Sequence, residues 1–168
     1  MVIASCGDAT GPNGSYIRAD ITGAAQDTFA SGIRFSGDFS RAAFRTLDIY
    51  GHQRSPDGGI RSFHLLGLAH VSLPDGQGAS LMELGPSSPE VTGFTAIYTR
   101  DGLRFAARRG FIRPTEVGDD VIAASFSLRM FLYCTGETVD RCLIPREPPE
   151  DAVWIEVEGE FRGDPFPG

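Results

Sequence analysis

Residues 121–134, "VIAASFSLRMFLYC", decide the fold. Ile122, Ala124, Phe126, Leu128, Met130 and Leu132 hold the even positions, and Ser125, Ser127 and Arg129 fall among the odd ones. Successive side chains of a strand point to opposite faces, so this pattern predicts a long strand with one buried face. Phe131 and Tyr133 interrupt the polar face near its end, which predicts that something covers that end.

The neighbouring segments read the same way. Asp119-Asp120, just before the strand, are a turn. Adjacent strand positions face opposite ways, so the two carboxylates do not form an acid–base pair. Upstream, "TGFTAIYT" (92–99) and "LRFAARRGFIR" (103–113) flank Asp101-Gly102, a pair that favours a tight hairpin turn with positive φ. Downstream, "AVWIEVEGEFR" (152–162) buries Val153, Ile155, Val157 and Phe161 and exposes Glu156, Glu158, Glu160 and Arg162, with Trp154 on the exposed face. Earlier come "YIRADITG", "DTFASGIRFSG" and "AFRTLDIYG", all strand-like. "IRSFHLLGLAHVSL" (60–73) is too continuously apolar for period alone to decide. Gly67, Val71 and the lack of a capping residue favour a strand. "ASLMEL" (79–84) is the remaining helix candidate. Strands joined by short turns, each with one apolar face, must close on themselves or pair face to face. The expected fold is therefore all-β, an antiparallel β-barrel or a β-sandwich. A single domain spans 16–168 behind a Gly-, Pro- and Ser-rich tether at 1–15.

Composition agrees. A chain of 168 residues, 41% of them apolar, suits one packed domain, and 21 Gly with 11 Pro imply many turns. All 15 basic residues are arginine, the net charge is −7, and residues 137–168 carry 3 Arg against 9 acids. An acidic chain is a poor partner for nucleic acid, whose binding rests on neutralising phosphates, and for anionic lipid surfaces. No apolar run reaches the ~18 residues of a membrane span.

There are three cysteines. Cys134 and Cys142 flank "TGETVDR" between the two longest strands, close enough to clip one loop. Such a disulfide requires an oxidising compartment; the alternative is two unrelated thiols. Two thiols at this spacing lack the further ligands of a zinc site, and Cys-x-x-Cys-His, the haem attachment motif, is absent. Cys6 closes "IASC", the pattern of a bacterial lipoprotein signal: apolar, small, small, Cys. Only five residues precede it, with no basic or long apolar region. The match therefore requires a start upstream, or it is chance.

Catalytic motifs are missing: no phosphate loop, no Gly-x-Gly-x-x-Gly, no His-Glu-x-x-His, no Gly-x-Ser-x-Gly. His52, His64 and His70 lack a third ligand nearby and read as partly buried structural residues. No cofactor or metal site is expected. The one basic cluster is Arg100, Arg104, Arg108, Arg109 and Arg113. Alternation sends Arg104 and Arg108 to one face and Arg109 and Arg113 to the other, where they can pair with Glu156, Glu158 and Glu160 across strands. Trp154, Phe131 and Tyr133 beside Arg104, Arg108 and Arg109 form the candidate partner-binding surface, since exposed aromatics and Arg are enriched at interfaces.

Ala124-Ser125-Phe126, then Val157-Glu158-Gly159-Glu160-Phe161, together with "ITGAAQDTFASGIRFSG" (21–37), resemble a diffuse group of uncharacterised bacterial lipoproteins. The resemblance covers most of the chain and implies a small β-barrel or sandwich on a lipid tether, with no activity to transfer. The Cys134–Cys142 insertion departs from the group's pattern. The expected function is that of a non-enzymatic accessory subunit, lipid-anchored through Cys6 on the periplasmic side or at the cell surface. It would contact protein partners in a larger membrane complex, for instance a respiratory or photosynthetic one. The alternative is a lipocalin-like lipoprotein that binds a small ligand inside the barrel. Phe126, Met130, Ile155 and Phe161 look able to fill such an interior.

Overall fold

The computed structural model describes residues 14–38, 45–54, 58–69, 82–83, 93–117, 121–136, 142–145 and 147–163. It is all-β: a closed antiparallel barrel of eight strands with one short extra strand, and no α-helix among the described residues. The strands are β1 (Tyr16–Gly23), β2 (Asp27–Asp38), β3 (Arg45–Arg54), β4 (Ile60–Ala69), β5 (Met82–Glu83), β6 (Gly93–Arg100), β7 (Leu103–Val117), β8 (Ile122–Thr135) and β9 (Trp154–Gly163). Each barrel strand pairs with its neighbours in chain order. β1 then pairs with β9, from Tyr16↔Arg162 to Gly23↔Ile155, and shuts the ring. A sandwich is thereby excluded in favour of the barrel.

The alternation seen in 121–134 is what builds the wall. Ile122, Ala124, Phe126, Leu128 and Met130 all point inward and are buried. They meet Ile17, Ile21, Phe29, Ile49, Phe63, Phe94, Tyr98, Phe105, Ile155 and Phe161 from the other strands. An eight-stranded barrel has an interior just wide enough for side chains, and here rings fill it. Phe63 lies 5.4 Å from Phe126, 6.1 Å from Phe29 and 6.2 Å from Tyr98, centroid to centroid. Space is short enough that β3 needs glycine at position 51. A Cβ there would come within 2.8 Å of Ile17 Cγ2, from a strand two places round the ring, and 3.3 Å of the Phe29 ring. Burial of each such ring is worth roughly 1.5–3 kcal/mol.

Several local expectations hold. Asp101 and Gly102 turn between β6 and β7 with φ of 49° and 79°, the positive pair a two-residue hairpin requires. Residues 60–69 are strand throughout. Of the helix candidate at 79–84, the described residues Met82–Glu83 form a strand that pairs with Ile112 and Phe111 of β7. Asp119-Asp120, His70 and Cys6 lie outside the described residues. Val153 differs from its expected burial: it precedes β9 and is 43% exposed.

The largest departure from simple alternation lies in β7. Ala107 pairs with Met130 and Arg109 pairs with Arg129, leaving Arg108 as an extra residue in a β-bulge. Ala107 packs against the core and Ile112 is buried, while Arg108, Arg109 and Arg113 are all exposed. The bulge resets the phase, so Arg109 and Arg113 join Arg104 and Arg108 on the outer face instead of facing the other way. Gly110 makes this possible. Its φ is 147°, and a Cβ there would stand 2.2 Å from the Ser127 carbonyl oxygen. Gly110→Ala should therefore cost roughly 1–3 kcal/mol, read as a lower urea midpoint with unchanged slope.

Candidate functional site

The outer face of β7, β8 and β9 carries the residues that the sequence singles out. Ala106, Phe131 and Trp154 form one outward row across the three strands. Ala106 and Phe131 are nonetheless only 1% exposed, and neither belongs to the interior core. The chain covers them itself. After a second bulge, at Tyr133, Cys134 lies opposite Arg104 on this outer side, and it is joined to Cys142 by a disulfide with Cα atoms 5.9 Å apart. Farther on, both carboxylate oxygens of Glu147 accept hydrogen bonds from Arg108 at 3.1 and 3.2 Å. The Leu132 amide then donates to the Val153 carbonyl at 2.9 Å. The described residues 142–145 and 147–153 thus form a strap, tied at three points across the end of β7 and β8. This is the cover that the apolar end of β8 required.

The candidate partner-binding residues consequently divide. Phe131 is under the strap and offers no surface. Trp154 is half-buried, 5.7 Å from the Phe131 ring, with the Arg129 guanidinium 4.7 Å above its own ring. Tyr133 is half-buried, 6.5 Å from Phe131. Arg108 is engaged with Glu147, Arg104 lies beside Cys134, and Arg109 is exposed opposite Arg129. Among the described residues, the ion pair that spans from β7 to β9 is that of Glu116 with Arg162, opposite in polarity to the one expected. Glu156 pairs instead with Arg129 of β8, at 3.3 Å.

The strap adds two residues that sequence reasoning passed over. Leu143 is 90% exposed and Ile144 42% exposed. Two apolar residues directly after a bonded cysteine, with no strand to bury them, were the signal available.

A second polar constellation closes one end of the barrel. Arg61 and Arg100 stand directly opposite each other on β4 and β6, and Asp27 sits between them, 2.7 Å from Arg61 and 3.6 Å from Arg100. The Tyr98 hydroxyl donates to Asp27 Oδ2 at 2.6 Å. Burial above all, then the bond to Asp27 and its charge, hold the Tyr98 phenol well above the ordinary tyrosine range. Arg61 Nε is buried without a partner among the described residues. The arrangement has the chemistry of a plug: a carboxylate locking two cations and a phenol. On the outer wall, His64 Nε2 lies 2.9 Å from Asp48 Oδ1, and Tyr50 stacks on His52. His64 is half-buried, as expected, whereas His52 is exposed, less sheltered than its sequence suggests.

No protein-family model matches the chain, and no curated protein or solved structure matches it either. Function is therefore argued from the surfaces described.

Two outcomes test this account. Reducing the disulfide, or Cys142→Ser, should lower stability by roughly 2–3 kcal/mol and shift the fluorescence of Trp154, the single tryptophan, as its neighbour Phe131 is uncovered. For Tyr98 the folded pKa exceeds the unfolded value of about 10, so its stabilisation is complete below that pH and is lost as pH climbs through the folded value. Absorbance titration should show Tyr98 ionising last, together with unfolding, after Tyr16, whose pKa burial and Glu160 also raise. Tyr98→Phe should abolish that late step.

Proposed function

We propose that the protein is a non-catalytic contact protein working outside the cytoplasm, and that its docking element is the strap. The carrying observation is Leu143, 90% exposed beside Ile144 on a segment fixed by a disulfide. Tying down an apolar side chain in water does nothing for the fold, whereas burying it in a partner's pocket is worth roughly 1.5–3 kcal/mol. Pinning the segment beforehand removes the ordering cost that a loose loop would pay on binding. The surrounding Arg104, Arg109 and Arg129, with half-buried Trp154 and Tyr133, supply the mixed aromatic and arginine rim favoured at interfaces.

The described interior supports contact over cargo, since rings occupy it and Gly51 leaves no room for a methyl group. The disulfide supports an oxidising compartment. With a lipid on Cys6 the protein would sit at a membrane, and the partner is then a membrane complex with an apolar pocket facing the strap.

Native electrophoresis of gently solubilised membranes from the source organism tests this. The wild-type chain should migrate within an assembly far larger than its own 18.1 kDa. A Leu143→Asp, Ile144→Asp double variant should fall out of that assembly while keeping the wild-type circular dichroism and Trp154 emission. Migration of the wild-type chain at its own mass would overturn the reading.

A further inference from the structure

Below the strap, the outer face of β7, β8 and β9 is charged in rows that change sign across β8. Residues paired over the three strands line up as Arg109–Arg129–Glu156, Phe111–Ser127–Glu158, Arg113–Ser125–Glu160 and Glu116–Ala123–Arg162. In three of the four rows both outer members are charged, and in each they are of opposite sign. In the last row the order reverses, and the opposition is kept. The middle residue is small and uncharged in all but the first row.

The chain uses part of this charge internally. Glu116 bonds Arg162 across Ala123, and Arg129 pairs with Glu156. The rest is left over. Arg109 faces Arg129, and Glu158 faces Asp20 of β1; like charges directly across a sheet cost stability. Arg113 lies over the Phe111 ring at 5.6 Å, and Glu160, in register with Arg18 of β1, accepts the Tyr16 hydroxyl at 3.2 Å. Arg113 and Glu160 have no ion pair among the described residues.

The geometry points to a second copy of this chain as the occupant of this face, in a two-fold dimer whose axis runs along β8. A surface whose charge is antisymmetric about a line is complementary to its own copy after a half-turn about that line, the isologous contact of a closed dimer. The half-turn sets Arg109 and Arg113 of each copy over Glu156 and Glu160 of the other, and Glu116 over Arg162. Ser127, Ser125 and Ala123 lie on the axis and let the two sheets approach, while Arg129, the fourth residue on it, must stay turned toward its own Glu156 to avoid its copy. A polyanion would be met by β7 and repelled by β9, and a polycation the reverse; a second copy satisfies both columns.

The face is three strands wide and four rows long, about 14 by 27 Å from strand spacing and rise. That projection is roughly half the ~800 Å² per partner of a standard interface, so the dimer is weak and must be sought at about 100 μM.

Sedimentation equilibrium of the purified, disulfide-intact chain tests it, independently of strap docking. The wild type should dimerise reversibly. R113E and E160R should each weaken the dimer about 10-fold or more, because each reversal sets like charges together at two symmetry-related contacts. The R113E/E160R double variant should recover most of the affinity, since the exchanged charges again face opposites. A wild-type chain monomeric at that concentration overturns the inference. So does a dimer indifferent to both single reversals, a folded double variant that fails to recover, or a dimer abolished by Leu143→Asp but not by R113E.

Discussion

Eight strands close a ring whose inside holds side chains and little else, and that limit orders the rest of the molecule. The interior accepts rings and branched aliphatics until Gly51 is needed to avoid overfilling. Among the described residues the charged groups that enter do so at one end, where Asp27 neutralises two arginines set directly against each other. Removing Asp27 would leave two cations side by side in a confined space, a far larger penalty than the loss of one exposed ion pair. All remaining chemistry is displaced to the outer wall, where the chain can vary it without disturbing the barrel.

The outer wall is itself shaped by one inserted residue. Arg108 in its bulge holds the β7 arginines in phase along one side and supplies the guanidinium that grips Glu147 of the strap. Two roles thus fall on one deviation: without the extra residue, half of the arginine column would be driven into the apolar interior. Bulges at such places re-aim side chains. The strap then finishes what the sheet begins, turning Ala106 and Phe131 into a small apolar layer outside the barrel.

The fold was legible because its signals are local. The period-2 pattern of 122–132, the Asp101-Gly102 turn and the spacing of Cys134 and Cys142 each act over a few residues. Even the need for a cover over Phe131 could be read from the broken alternation. The bulge could not, because Arg108-Arg109 reads equally well in either phase until Met130 and Arg129 fix the register from the neighbouring strand. Closure as a barrel depends on β1 meeting β9 across most of the chain, which no local pattern encodes. The Asp27 plug joins β2, β4 and β6, and the strap's exposed Leu143 emerges only once every strand has been given its place. The outer face was legible in composition, as an Arg cluster and a Glu series, but not in arrangement, because the intervening β8 decides which charges can meet.

The order of pairing around the ring also sets a timetable for synthesis. Every strand up to β8 can dock on one already made, but β1 gains its second partner only when residues 154–163 have left the ribosome. At ordinary elongation rates that interval is on the order of 10 s. Throughout it the outer edge of β1 carries unpaired backbone donors and acceptors, an open template for another chain. Its outward side chains include Arg18 and Asp20, both solvent-exposed in the finished barrel. Charges at an edge are what discourage adhesion, so these two residues guard the nascent chain before they take their place on the mature surface.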